Sequence, residues 1–169
     1  MPSVGIYTYE LYHFYDVENI IRIGSAGSLQ DNVNVKDLVF AMASCNDSRY
    51  GYQYSLPGPF SPAASFDLLE KAVAVARELK VPFHVGNVLS TDVFYRAGDE
   101  NDRYREMGVL ACEMESAALY INAAEAKKKA LTILTVSDHI YKNQEMSSEE
   151  RQVGFRQMME VALKTAVQL

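Results

Sequence analysis

A chain of 169 residues, 49% apolar and 22% charged, can bury one substantial core and has the composition of an ordinary globular protein. Its formal net charge of −6, with the basic residues scattered, excludes the footprint needed to hold a nucleic-acid backbone. No apolar run reaches membrane-spanning length and Met1-Pro2-Ser3 does not open a signal peptide, so the expectation is one cytoplasmic domain over residues 1–169 with neither nucleic acid nor membrane as partner.

Helical and strand-like segments alternate from end to end, which predicts a layered α/β domain with an at least partly parallel sheet. Residues 5–15 read as a helix in which Ile6, Leu11 and Phe14 share a face. A short strand over residues 20–23 follows, and Gly24-Ser25-Ala26-Gly27 reads as the turn that stops it. Residues 35–43 are the next strand, and residues 45–62, rich in Asn, Ser, Gly, Pro and Tyr, read as a long surface loop. Residues 66–79 carry Leu68, Leu69, Ala72, Val73 and Ala76 at helical spacing, with acids near the start and bases near the end.

Residues 83–89 then read as a strand and residues 99–107 as a polar helical or irregular segment. A short strand over residues 109–114 leads into an alanine-rich helix, 115–128, whose last lysines read as a solvated terminal turn. The β-rich run over residues 130–136 is a buried strand. The final helix opens at Ser147, where Ser147 with Glu150 makes a capping-box pattern that puts Arg151 in a first helical turn.

Some of these segments carry groups suited to chemistry. Asp138 follows the buried strand, where α/β proteins build sites. A carboxylic acid that protonates a leaving base near neutral pH needs an apolar or crowded setting of that kind. Arg151 is a candidate to stabilise the carboxylate left behind, the alternative being a surface pair with Glu149 or Glu150. Glu113 and Glu115 share a face if strand geometry runs through Met114, and diverge if a helix starts at Glu115. An ionised glutamate accepts well from vicinal sugar hydroxyls, with Met114 as a soft floor.

Arg22 lies in an apolar strand and needs an anionic partner, from the protein or from a ligand; Ser25 and the glycine turn offer a hydroxyl and N–H groups to an oxyanion. Phe94 and Tyr95 read either as an aromatic face for a flat heterocycle or as core. Tyr50, Tyr52 and Tyr54 alternate like a hydrogen-bonding strand edge or an interface, and no chemistry is assigned to them. The three histidines have no mutual spacing for a metal site or triad, and Cys45 and Cys112 read as reduced, partly buried thiols, so no metal is expected.

Taken in order, Ile21-Arg22-Ile23-Gly24-Ser25-Ala26-Gly27, Ser90-Thr91-Asp92-Val93-Phe94-Tyr95, Glu113-Met114-Glu115-Ser116-Ala117-Ala118 and Thr135-Val136-Ser137-Asp138-His139 through Arg151 resemble the bacterial-type, hexameric purine nucleoside phosphorylases. The resemblance implies a three-layer α/β/α fold around a mixed, barrel-like central sheet. It also implies phosphorolysis of purine (2′-deoxy)ribonucleosides to base and pentose 1-phosphate, with inorganic phosphate as co-substrate, no cofactor, and a homo-oligomer built from dimers. Carried over, Arg22 and Ser25 contact phosphate, Phe94 lies against the base, and Cys112 and Glu113 line the pocket. Met114 and Glu115 hold the ribose, Ser137 faces the purine, and Asp138 donates a proton toward N7 with Arg151 assisting.

Arg22 together with Asp138 separates this pattern from related nucleosidases, which use water, and from uridine phosphorylases, which lack the Ser137-Asp138 signature. In this alignment Met1-Pro2-Ser3 matches an internal Pro-Ser of the family, so the chain reads as N-terminally truncated, with part of the phosphate half absent and an exposed sheet edge expected. The competing reading is a non-catalytic nucleoside-binding or oligomer-forming subunit.

Overall fold

A computed structural model describes all of residues 1–169. Helix α1 (Pro2–His13) leads into strand β1 (Asn19–Ser28), then β2 (Leu38–Asn46), a short 3₁₀ helix (Tyr50–Tyr54), α2 (Phe66–Glu78) and β3 (Phe83–Ser90). These are followed by α3 (Glu100–Glu106), β4 (Ala111–Glu113), α4 (Ser116–Ala126), β5 (Lys129–His139), β6 (Gln144–Glu145), α5 (Ser148–Val153) and α6 (Arg156–Ala166).

Five strands close on themselves in the order β1-β4-β3-β2-β5, with β6 appended to β5. The β1–β5, β2–β3 and β3–β4 pairs are parallel, whereas β1–β4 and β2–β5 are antiparallel, so the ring is mixed as the resemblance implies. Its two antiparallel seams are thin. β1 meets β4 only at Gly27 and Ser28, and β2 meets β5 only at residues 38–40. Residues 19–26 of β1 therefore have a strand on one flank only.

Alternation along β5 explains the layering. Ala130, Leu134 and Val136 pack with Tyr12 of α1 and with Leu119, Tyr120 and Ala123 of α4, while Leu131 and Ile133 face α2 and α6 through Leu68, Ala72, Met158 and Val161. Covered on both sides, β5 reads as a near-continuous apolar run, as a buried strand does. Tyr120 ties the layers together: its hydroxyl donates to the Ala41 carbonyl at 2.6 Å and accepts from the Thr132 N–H at 2.9 Å. Burial drives its phenol upward in pKa, so it stays a neutral donor.

Several boundaries differ from expectation for identifiable reasons. Helix α1 starts at Pro2, which suits a first turn, and it packs through Gly5, Thr8 and Tyr12. Ile6, Leu11 and Phe14 are exposed instead. The glycines after Arg22 do not end β1, which runs on through Ser28 in register with β5. Strand β2 lies three residues beyond the expected 35–43. Tyr50, Tyr52 and Tyr54 sit in the 3₁₀ helix rather than on a strand edge, with the Tyr50 and Tyr54 hydroxyls on Asn122 Oδ1.

The three lysines do not form one solvated turn. Lys127 closes α4 in a left-handed conformation (φ 57°), Lys128 pairs with Asp16 and Glu18, and Lys129 begins β5. Helix α5 carries the expected capping box between Ser147 and Glu150.

Replacing Tyr120 by Phe removes an acceptor from a buried N–H and a donor from a buried carbonyl. Urea unfolding should register a loss of about 1–3 kcal/mol with little change in slope.

Candidate functional site

Arg22 finds its anionic partners within the protein. Its Nη2 bonds Glu115 Oε2 and its Nη1 lies 3.2 Å from Glu113 Oε2. Strand β4 ends at Glu113 and α4 begins at Ser116, so the two glutamates flank a bend, and they nonetheless converge on one guanidinium. The close approach needs Gly24, where a Cβ would sit 2.9 Å from Arg22 Nη2.

The two carboxylates are held very differently. Glu113, its side chain 1% exposed, accepts from Ser90 Oγ at the end of β3, from the Glu115 N–H at 2.9 Å and from the Ser116 N–H at 3.0 Å. It satisfies the first amides of α4, where the helix dipole favours negative charge. Ser90 Oγ in turn accepts from the Ala117 N–H. Glu115, by contrast, has Arg22 as its sole protein side-chain partner and is 34% exposed.

A second cluster forms at the far end of β1. The ladder shifts register between Ala26 and Gly27, so that Ala26 pairs with Val136 but Gly27 pairs with Asp138, leaving Ser137 as the extra residue on β5. Such a bulge re-aims the side chain after it. Ser137 donates to Asp138 Oδ1 at 2.7 Å, and Oδ2 lies over Gly27, 2.9 Å from where a Cβ would be. On its other flank Gly27 pairs with Cys112, the residue before Glu113. Burial, with Glu113, Asp47 and Asp138 adding to it against Arg96, pushes the Cys112 thiol up to about 12, so it is a neutral lining group.

Thus Arg22, Cys112, Glu113, Ser137 and Asp138 occupy adjoining stretches of β1, β4 and β5, with Met114 and Glu115 in the bend that leads into α4. No hydrogen bond joins Asp138 to Glu115; their side-chain partners are Ser137 and Arg22 respectively. Ser25 lies within β1 and is exposed, so the expected glycine turn is replaced by a strand in which alternate amides face β5 and the others, over residues 19–26, face the open flank. Phe94 is not core: it is 75% exposed and stacks edge-on against Tyr95 at 4.9 Å.

Arg151 does not touch Asp138, nor does it pair with Glu149 or Glu150. Its Nε donates to the Met146 carbonyl at 3.1 Å and its Nη2 lies 3.5 Å from Glu145 Oε2, and Glu145 is the register partner of Asp138 on β6.

Sequence reasoning missed Ser90, whose hydroxyl seats Glu113, and the latch over the Phe94 loop. Arg96 binds both Asp47 Oδ2 and Thr91 Oγ1, and Asp47 also accepts from the Thr91 hydroxyl at 2.9 Å and the Asp92 N–H. The polar run Ser90-Thr91-Asp92 was the available signal for both. A cavity of about 740 Å³ lies elsewhere, between the end of β2 and the loop carrying Leu56, Pro57, Pro59 and Phe60. No charged side chain lines it, so it offers neither an acid nor an anion partner.

The phosphorylase superfamily model matches residues 1–168. The chain is 47% identical over 170 aligned positions to the DeoD-type purine nucleoside phosphorylases of Bacillus cereus and Bacillus thuringiensis, and 46% identical to that of Bacillus cytotoxicus. Each alignment covers 99% of this chain and 72% of the relative.

Exchanging Glu113 for Gln leaves Arg22 short of a buried counter-charge, and urea titration should show a loss of about 3 kcal/mol. The Cys112 thiol in the native protein should resist iodoacetamide at pH 8 and react freely once urea unfolds the chain, with peptide mass mapping as the readout.

Proposed function

The chain belongs to the phosphorylase superfamily, and on that footing we propose that it cleaves purine (2′-deoxy)ribonucleosides with inorganic phosphate to free base and pentose 1-phosphate. The observation that carries this reading is the convergence of Glu113 and Glu115 on Arg22, one β4 residue away from the Gly27–Asp138 contact. The identity to named purine nucleoside phosphorylases supports it.

In the proposed reaction a phosphate oxygen attacks C1′ as the bond from C1′ to the purine N9 breaks. The sugar passes through a state with oxocarbenium character, and the electron pair of the broken bond moves into the purine. Asp138 gives its proton to N7, so that the base departs neutral. Ser137 holds Oδ1, which leaves Oδ2 as the oxygen that serves the base. Arg22 and the Ser25 hydroxyl hold phosphate, whose negative charge stabilises the cationic sugar.

Glu115 accepts from the pentose hydroxyls, Met114 supplies the apolar floor, and Cys112 and Phe94 lie against the base. Arg151 leaves Glu145 to neutralise the Asp138 carboxylate after proton transfer, a short move because Glu145 and Asp138 are register partners. The reaction needs phosphate and no cofactor. No helix is long and apolar enough to cross a membrane, which accords with a cytoplasmic setting. The exposed Tyr7, Phe14 and Tyr15 on and just after α1 favour a homo-oligomer.

Incubation with inosine and phosphate should release hypoxanthine at a rate that depends on phosphate. Asp138→Asn should lower kcat by about 10²-fold or more, and Arg151→Ala should lower kcat more than it raises KM. Release of hypoxanthine without phosphate would indicate a nucleosidase instead, and nucleoside binding without release a binding subunit.

A further inference from the structure

Arg22 is shared between two acids that differ in what else they have. Glu113 is fixed by Ser90 and by two α4 amides and keeps those partners whatever Arg22 does. Glu115 accepts from no protein side chain except Arg22. Arg22 Nη1 is buried and makes no hydrogen bond despite lying near Glu113. Arg96, whose charge is felt at Cys112, is committed to Asp47. Arg22, Glu113 and Glu115 together carry a formal charge of −1, so the arrangement repels an incoming anion until the guanidinium turns toward it.

The geometry points to Arg22–Glu115 as a coupling element by which phosphate and the sugar hydroxyls each raise the affinity for the other. This inference rests on the proposed phosphorolysis and adds to it a linkage between the two half-sites. An anion that draws Arg22 to itself deprives Glu115 of its one side-chain donor. A half-buried carboxylate left without donors is unfavourable. A vicinal diol supplies two O–H donors and satisfies it, so the unpairing that opposes phosphate binding is relieved when a ribonucleoside is present. By linkage the same factor must tighten the nucleoside when phosphate is present.

Glu113 is less suited to this part, because Ser90 and two backbone amides still donate to it when Arg22 turns away, and its buried position leaves no room for hydroxyls to take the place of the guanidinium. Glu115 at the start of α4 also sits in a bend between β4 and the helix, where its side chain can turn without disturbing a ladder.

The test is calorimetric titration of the 169-residue protein with inorganic phosphate and with a purine C-nucleoside whose glycosidic bond cannot be cleaved, each alone and each in the presence of the other. The expected result is a mutual tightening of about tenfold, equal in both directions within error. The 2′,3′-dideoxy form of the same C-nucleoside should bind with no phosphate effect. In Glu115→Gln, phosphate alone should bind more tightly than to the unaltered protein and the mutual factor should fall to about one, with thermal melting showing that the variant is folded.

Independent binding of the hydroxyl-bearing ligand and phosphate would overturn the coupling while leaving the phosphorolytic reading intact. So would a mutual factor that survives in Glu115→Gln or with the dideoxy ligand. Absence of nucleoside binding under every condition would overturn both.

Discussion

One partly buried cation governs the arrangement of this protein. Arg22 sits in a strand whose neighbours are apolar, and a guanidinium there is tolerable only with anions brought to it. Glu113 is the fixed one, and its contacts reach four elements at once: Arg22 on β1, Ser90 on β3, its own strand β4 and the amides that open α4. The short β4, three residues long, would pin little by its ladder alone. The carboxylate does what the strand cannot, fixing where α4 starts and hence where Glu115 stands.

The second constraint is the extra residue at Ser137. Without it, residues 136 and 138 would point the same way, and Asp138 would follow Val136 into the layer between the sheet and α4. The bulge turns the carboxyl onto Gly27, where the missing side chain leaves room for it. Gly24, three residues before Gly27, does the same for Arg22. Both glycines are therefore places where a charged side chain crosses the backbone, and neither ends the strand.

That distinction accounts for what could be read from the residues and what could not. The apolar run of β5, the spacing of α2 and the Ser147–Glu150 box are local patterns, and each element formed where its pattern lies. Arg22, Glu113, Glu115 and Asp138 were recognisable as costly or reactive residues in ordered segments, Ser137 only through the family resemblance, and the fold brings them to neighbouring strands and the bend before α4. The glycines misled because a glycine that admits a side chain and a glycine that makes a turn look alike in sequence; only the partner strand decides. Helix α1 misled for a similar reason, since its face was chosen by the layer it packs on. Gly5, Thr8 and Tyr12 fit against α4, and the larger apolar side chains were left outside. Arg151 lay in the expected helical turn, yet its partner on β6 comes from a two-residue strand that no pattern announces.

The candidate site residues gather where the ring of strands is thinnest. Between β1 and β4 only two residue pairs close the barrel, and there the ladder no longer claims every backbone and side-chain direction. Asp138 and Cys112 flank that seam, and Arg22 lies on the stretch of β1 with one open flank. A fully paired barrel would bury these groups beyond the reach of a ligand. A wider gap would leave Arg22 in water, where its pull on an anion falls with the rising dielectric. The seam holds the charged groups between those limits: Arg22 is 16% exposed, dry enough to need a partner and open enough to exchange one.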